Sequence, residues 1–72
     1  MQEPSRIIIE NYCLTHSSAK SRRLKRLVEL SYDLSAEASD ADAVFLEKLI
    51  DSEKDPEMKE ALEDLNDFLF NY

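Results

Sequence analysis

The chain has 72 residues, with nine Lys and Arg against sixteen Asp and Glu, for a formal net charge of −7. That length supports a single domain over residues 1–72, and its core is marginal because a chain this short buries only about 60% of its unfolded surface. The absence of Gly excludes P-loop and dinucleotide-binding designs, the single Cys excludes an internal disulfide, and the acidic balance argues against general affinity for nucleic acid.

The first predicted element covers residues 4–14. Pro4 after Glu3 reads as a helix start, and Ile8, Ile9 and Tyr12 share one helical face. Arg6-Ile7-Ile8-Ile9-Glu10 also reads as a strand through its β-branched run. A single strand cannot satisfy its own ladder and would have to pair with a second copy, so helix is preferred. The isoleucine run is too short for a signal or membrane-spanning segment, and the expected location is the cytoplasm.

Residues 18–36 form the second predicted helix, with Ser17 or Ser18 as its cap. Leu24, Leu27, Leu30 and Leu34 line one side, with Val28 at the flank. Lys20, Arg22, Arg23, Lys25 and Arg26 crowd the first two turns, where five cations oppose the helix dipole. Lys20 and Arg23 even lie along the leucine line. A local rule broken without visible structural gain marks this cluster as the first candidate partner-binding site. Its chemistry suits phosphates, anionic lipid or an acidic protein groove. The plainer reading has these cations facing the acids of 51–67 across the fold. Exposed ion pairs of that kind contribute only about 0–1 kcal/mol each and do not demand such clustering.

The third predicted helix spans 40–53. Ser39 or Asp40 caps it, and Asp42 lies in the first turn, where the dipole favours a negative charge. Ala41, Phe45, Leu46, Leu49 and Ile50 cover nearly half the circumference, which implies contact with two neighbours. Residues 52–55 make a short polar turn. The alternating acids after Asp51 suggest a calcium loop, but Pro56 and Leu62 occupy the positions where such a loop needs Gly and Glu.

The fourth helix, 56–71, has the clearest signal. Asp55 caps it and Pro56 fits the first position. Met58, Ala61, Leu62, Leu65, Phe68, Leu69 and Tyr72 follow one face, while Glu60, Glu63, Asp64 and Asp67 fall on the other. Phe70 lies off the stripe and Tyr72 at the end of the sequence, and both are hard to bury within 72 residues. Leu65, Phe68, Leu69, Phe70 and Tyr72 are therefore the expected partner or dimer interface.

Little in the sequence carries chemistry. Cys13 and His16, with Glu10, loosely share a helical face, as a nucleophile or half a zinc site would require. No second Cys or His exists to complete a metal site, and a small buried thiol beside a surface histidine is the better reading. No hydrolase elbow or metalloprotease motif is present, so neither catalysis, metal nor cofactor is expected.

Charge is segregated along the chain. Residues 1–36 hold six basic side chains and four acids, a net of +2, whereas 37–72 hold three Lys and twelve acids, a net of −9. The reading that follows is an all-α protein, a small bundle of three to four helices and a homodimer. It binds protein as a regulator, inhibitor or adaptor of a larger assembly, without membrane contact. The alternative is a dimeric nucleic-acid-binding transcriptional regulator using the basic 20–26 segment. A ribbon–helix–helix arrangement would join a strand at 6–10 to two helices. The order of elements fits that arrangement, and the acidic second half does not. Acidic faces on a rigid bundle would also mimic nucleic acid towards a basic protein.

Overall fold

The computed structural model of the protein describes residues 1–32 and 37–70. Four helices follow one another: α1 (Glu3–Thr15), α2 (Ala19–Leu30), α3 (Asp40–Ser52) and α4 (Pro56–Phe70). No strand occurs among the described residues. Residues 6–10 are helical, so the ribbon that a ribbon–helix–helix arrangement requires is not formed.

The three isoleucines of α1 illustrate why helix wins. Successive residues on a helix point about a third of a turn apart, so the run serves three directions. Ile9 is fully buried in the core, Ile8 packs against it, and Ile7 faces outward, 46% exposed. A strand would have placed Ile7 and Ile9 on the same face. Pro4 sits in the first turn, and the Gln2 backbone N–H donates to the Asp64 carboxylate at 2.9 Å, tying the start of α1 to α4.

Ser18 caps α2 through a reciprocal capping box. Its hydroxyl accepts from the Ser21 N–H at 3.2 Å, and the Ser21 hydroxyl accepts from the Ser18 N–H at 3.0 Å. Ser21 is buried, and its hydroxyl also donates to the carbonyl of His16, fastening the short turn between α1 and α2.

Helix α2 ends at Leu30, well short of the 36 expected from its leucine spacing. The reason is local. The Ser31 hydroxyl and N–H both reach the Val28 carbonyl, and the Tyr32 N–H reaches Glu29, so the last turn tightens to i→i−3 bonding. Leu34, expected on the same stripe, lies outside the described residues. Val28, expected at the flank, is fully buried.

Ser39 caps α3 with a second capping box, closed by Asp42. Leu46 is the residue of α3 that is completely buried, while Phe45, Leu49 and Ile50 pack partly against the core. Ala41, expected in that stripe, is exposed, because α3 turns the Asp42 side of its first turn inward instead. In α4 the Asp55 carboxylate accepts from the Glu57 N–H at 3.1 Å, the expected cap.

The core is one cluster drawn from all four helices: Ile9 from α1, Leu24, Leu27 and Val28 from α2, Leu46 from α3, and Met58, Ala61, Leu62 and Leu65 from α4. The principal packed pairs are α1 with α2, α1 with α4, and α3 with α4. The helices are therefore laid in the order α2–α1–α4–α3. The Cα radius of gyration is 11.1 Å, close to the roughly 11 Å of a folded domain this long.

Candidate interaction surfaces

The five cations of 20–26 do not make one patch. Neighbouring positions diverge around a helix, and here they separate into three environments. Arg23 and Arg26 point across to α3, where their guanidinium groups donate to the Asp42 carboxylate at 3.1 and 3.3 Å. Arg23 also lies over the Phe45 ring, 4.5 Å from its centre. Lys20 turns towards α1, its ammonium 5.7 Å from the centre of the Tyr12 ring. Arg22 and Lys25 stay exposed, and no salt bridge among the described residues engages them.

Among the described residues, the acid that pairs with Arg23 and Arg26 of the basic helix is Asp42. Asp42 is 3% exposed and its carboxylate accepts from four donors: the Ser39 N–H at 3.0 Å, the Ser39 hydroxyl at 3.1 Å, and the two arginines. Burial pushes its carboxyl up. The Ser39 backbone bond, Arg23, the Ser39 hydroxyl and the Arg26 charge together outweigh that and hold it below the ordinary aspartate value. This residue was read from the sequence only as a first-turn acid. The pattern Ser39-x-x-Asp42 is a capping-box signature and was the available signal. That two arginines of another helix converge on it has no counterpart in local sequence. The contact also supplies a structural gain for cations placed against the α2 dipole.

The aromatic end of α4 is largely used by the fold itself. Leu65 is fully buried and has no surface to offer a partner, and Leu69 and Phe70 pack against the core. Phe70, off the predicted stripe, is thus covered, while Phe68, on it, is 42% exposed. Helix α4 lies at the centre of the packing order, with neighbours on two sides, so its buried arc is wider than one stripe. Tyr72 lies outside the described residues.

Cys13 and His16 do not form a pair. The Cys13 thiol donates to the Ser21 carbonyl at 3.4 Å, and the His16 ring stacks on Tyr12 at 4.0 Å. Burial raises the Cys13 thiol above its ordinary value, Lys25 opposes this and Glu10 adds to it. A thiol kept protonated in this way is a poor nucleophile. No group of three or more His, Cys, Asp or Glu able to hold a metal occurs among the described residues.

Two exposed surfaces remain. One is acidic. Glu57, Glu60 and Glu63 follow one another along α4, all exposed, and no ion pair among the described residues engages them. The other is the outward side of α1, where Leu14 is 81% exposed. A groove of about 330 Å³ runs there between α1 and α2, with Ile7 and Leu14 along it and Glu10 and Lys25 on its walls.

No described helix is long and apolar enough to cross a membrane. Comparison with protein-family models, with curated proteins and with solved structures yields no match for this chain.

Proposed function

We propose that this protein is a small acidic protein-interaction module, acting without catalysis in the cytoplasm as a regulator, inhibitor or adaptor of a larger assembly. The observation that carries this reading is the segregation of charge in the folded chain. Among the described residues Asp42 pairs with Arg23 and Arg26 of the basic helix, and Glu57, Glu60 and Glu63 along α4 stay exposed. Helix α4 holds Glu57, Glu60, Glu63, Asp64 and Asp67 against Lys59 alone. A row of carboxylates on a rigid helix favours a partner with a basic face, speeds encounter with it and disfavours acidic competitors.

The test is affinity capture by the intact protein, followed by direct binding to the purified captured protein. The expected partner binds in a salt-sensitive way and is lost when Glu60 and Glu63 are both changed to Lys. Binding that ignores both salt and this charge reversal would overturn the reading.

A second reading is favoured by one observation, the exposure of Arg22 and Lys25 without a carboxylate partner. With Lys20 they offer three cations for phosphate contact, a log–log salt slope of about −3 on duplex DNA. The acids of α3 and α4 lie within about a Debye length, roughly 8–10 Å, of much of so small a molecule and oppose that contact. The expected affinity for DNA or RNA is therefore no tighter than the non-specific range of about 10⁻⁴–10⁻⁶ M near physiological salt. Nanomolar, sequence-dependent binding would replace the first reading with the second.

A further inference from the structure

We propose that two copies of this chain pair about a two-fold axis through the outward face of α1, with Ile7, Asn11 and Leu14 as the seam. The inference is independent of the acidic-face reading, since it rests on a different helix and a different chemistry.

Helix α1 has two faces. Ser5 and Ile9 are buried on one, with Tyr12 and Cys13 partly covered beside them. Ile7, Asn11 and Leu14 fall on the other, spaced four and then three apart, and all three are exposed. That spacing places two apolar side chains in line on one ridge, with a polar amide between them. A single Asn inside such a seam is a known means of fixing register between two helices. The ridge stands between two depressions, the groove of about 330 Å³ towards α2 and one of about 360 Å³ towards α4. A ridge beside a groove is the shape that a second copy of the same surface can complement, residue i meeting j while j meets i.

Charge selects the second copy as occupant. Among the described residues the other large exposed aliphatic side chain, Val44, shares the outward side of α3 with Asp40, Glu47 and Asp51 against Lys48 alone, and Phe68 lies one turn from Asp64 on the acidic α4. Pairing two copies through either place would press like charges together. The α1 face differs, because Glu10 and Lys25 line the same groove. The Glu10 carboxylate takes the Arg6 guanidinium of its own helix through one oxygen at 2.7 Å. Across a two-fold axis its other oxygen can meet Lys25 of the second copy, so the surface is self-complementary in sign as well as shape. Tyr32, 58% exposed, is held within its own chain, its ring centre 5.8 Å from the Arg6 guanidinium.

A 13-residue helix is about 20 Å long. The contact therefore belongs to the small end of protein interfaces, and the dimer forms in the micromolar range. Sedimentation equilibrium from low-micromolar to sub-millimolar protein tests it. The mass should rise with concentration from 8.4 kDa towards twice that value. Leu14→Asp should weaken dimerisation at least about tenfold. It should leave the fold of one copy intact, because Leu14 is exposed there, with only slight fraying at the last turn of α1, where an acid opposes the helix dipole. Val44→Asp should have no effect. Glu10→Lys and Lys25→Glu should each weaken the dimer, and the double exchange should restore it. A mass of 8.4 kDa at every concentration overturns the proposal. So does a dimer that survives Leu14→Asp, or one that Val44→Asp dissolves.

Discussion

The Asp42 carboxylate closes the N-terminus of α3 and at the same time receives two arginines from α2. Asp42→Ala removes the capping box and both ion pairs, and a loss of about 1–3 kcal/mol in chemical denaturation is expected. Asp42→Asn should cost less, about 1 kcal/mol, because the Asn amide oxygen can still accept from the Ser39 N–H and the two arginines are exposed enough to recover water. The same residue sets an acid limb. Its carboxyl lies lower in the folded chain than in the unfolded one, so at acid pH the unfolded chain binds the proton more readily. The stabilisation is complete above the ordinary aspartate value and is lost as pH falls through the lower, folded value. Unfolding midpoints measured through that window should fall less steeply for Asp42→Asn than for the unaltered protein.

At the scale of elements, α2 divides into cations that hold the fold and cations that do not. Arg23 and Arg26 join α2 to α3, the two outermost helices of the packing order, and so close α2–α1–α4–α3 into a ring. Arg22 and Lys25 are engaged by no carboxylate among the described residues and oppose the helix dipole from its early turns. Changing Arg22 and Lys25 together to Gln should therefore leave stability unchanged or raise it slightly, by a few tenths of a kcal/mol up to about 1 kcal/mol per residue relieved. Changing Arg23 and Arg26 to Gln should lower it, since a buried carboxylate would lose both charged donors. Circular dichroism melts of the two double variants make the comparison. Equal losses from both would show that position on the helix, and not Asp42, decides the effect.

Across the whole molecule the net charge of −7 acts against compactness. The core is small, with nine buried apolar residues in one cluster among the described residues, and the exposed acids of α3 and α4 repel one another over distances of a Debye length. Moderate salt screens that repulsion. It also weakens the partly exposed Arg23 and Arg26 contacts, but those involve one carboxylate against many. The thermal midpoint should accordingly rise by a few degrees between low and physiological ionic strength. A fall would mean that the α2–α3 ion pairs outweigh the summed repulsion.

Much of this architecture is local in origin and so was legible from sequence. Apolar spacing located four helices, and Pro4, the pair Ser17 and Ser18, the pair Ser39 and Asp40, and Asp55 with Pro56 marked their starts, because caps and amphipathic faces are properties of neighbouring residues. The structure chooses Ser18 and Ser39 as the caps. The end of α2 was not legible from its leucines, since Ser31 hydrogen bonds to Val28 cut the helix where hydrophobic spacing would have carried it on. What the helices do to one another belonged to tertiary structure alone. Only packing decided that Phe70 would be covered and Phe68 left half exposed, because α4 has neighbours on two sides. Only packing brought Arg23 and Arg26 to Asp42, residues from two helices with no periodic relation in the chain. And only packing left Ile7 and Leu14 exposed, because α1 gives its opposite face to α2 and α4.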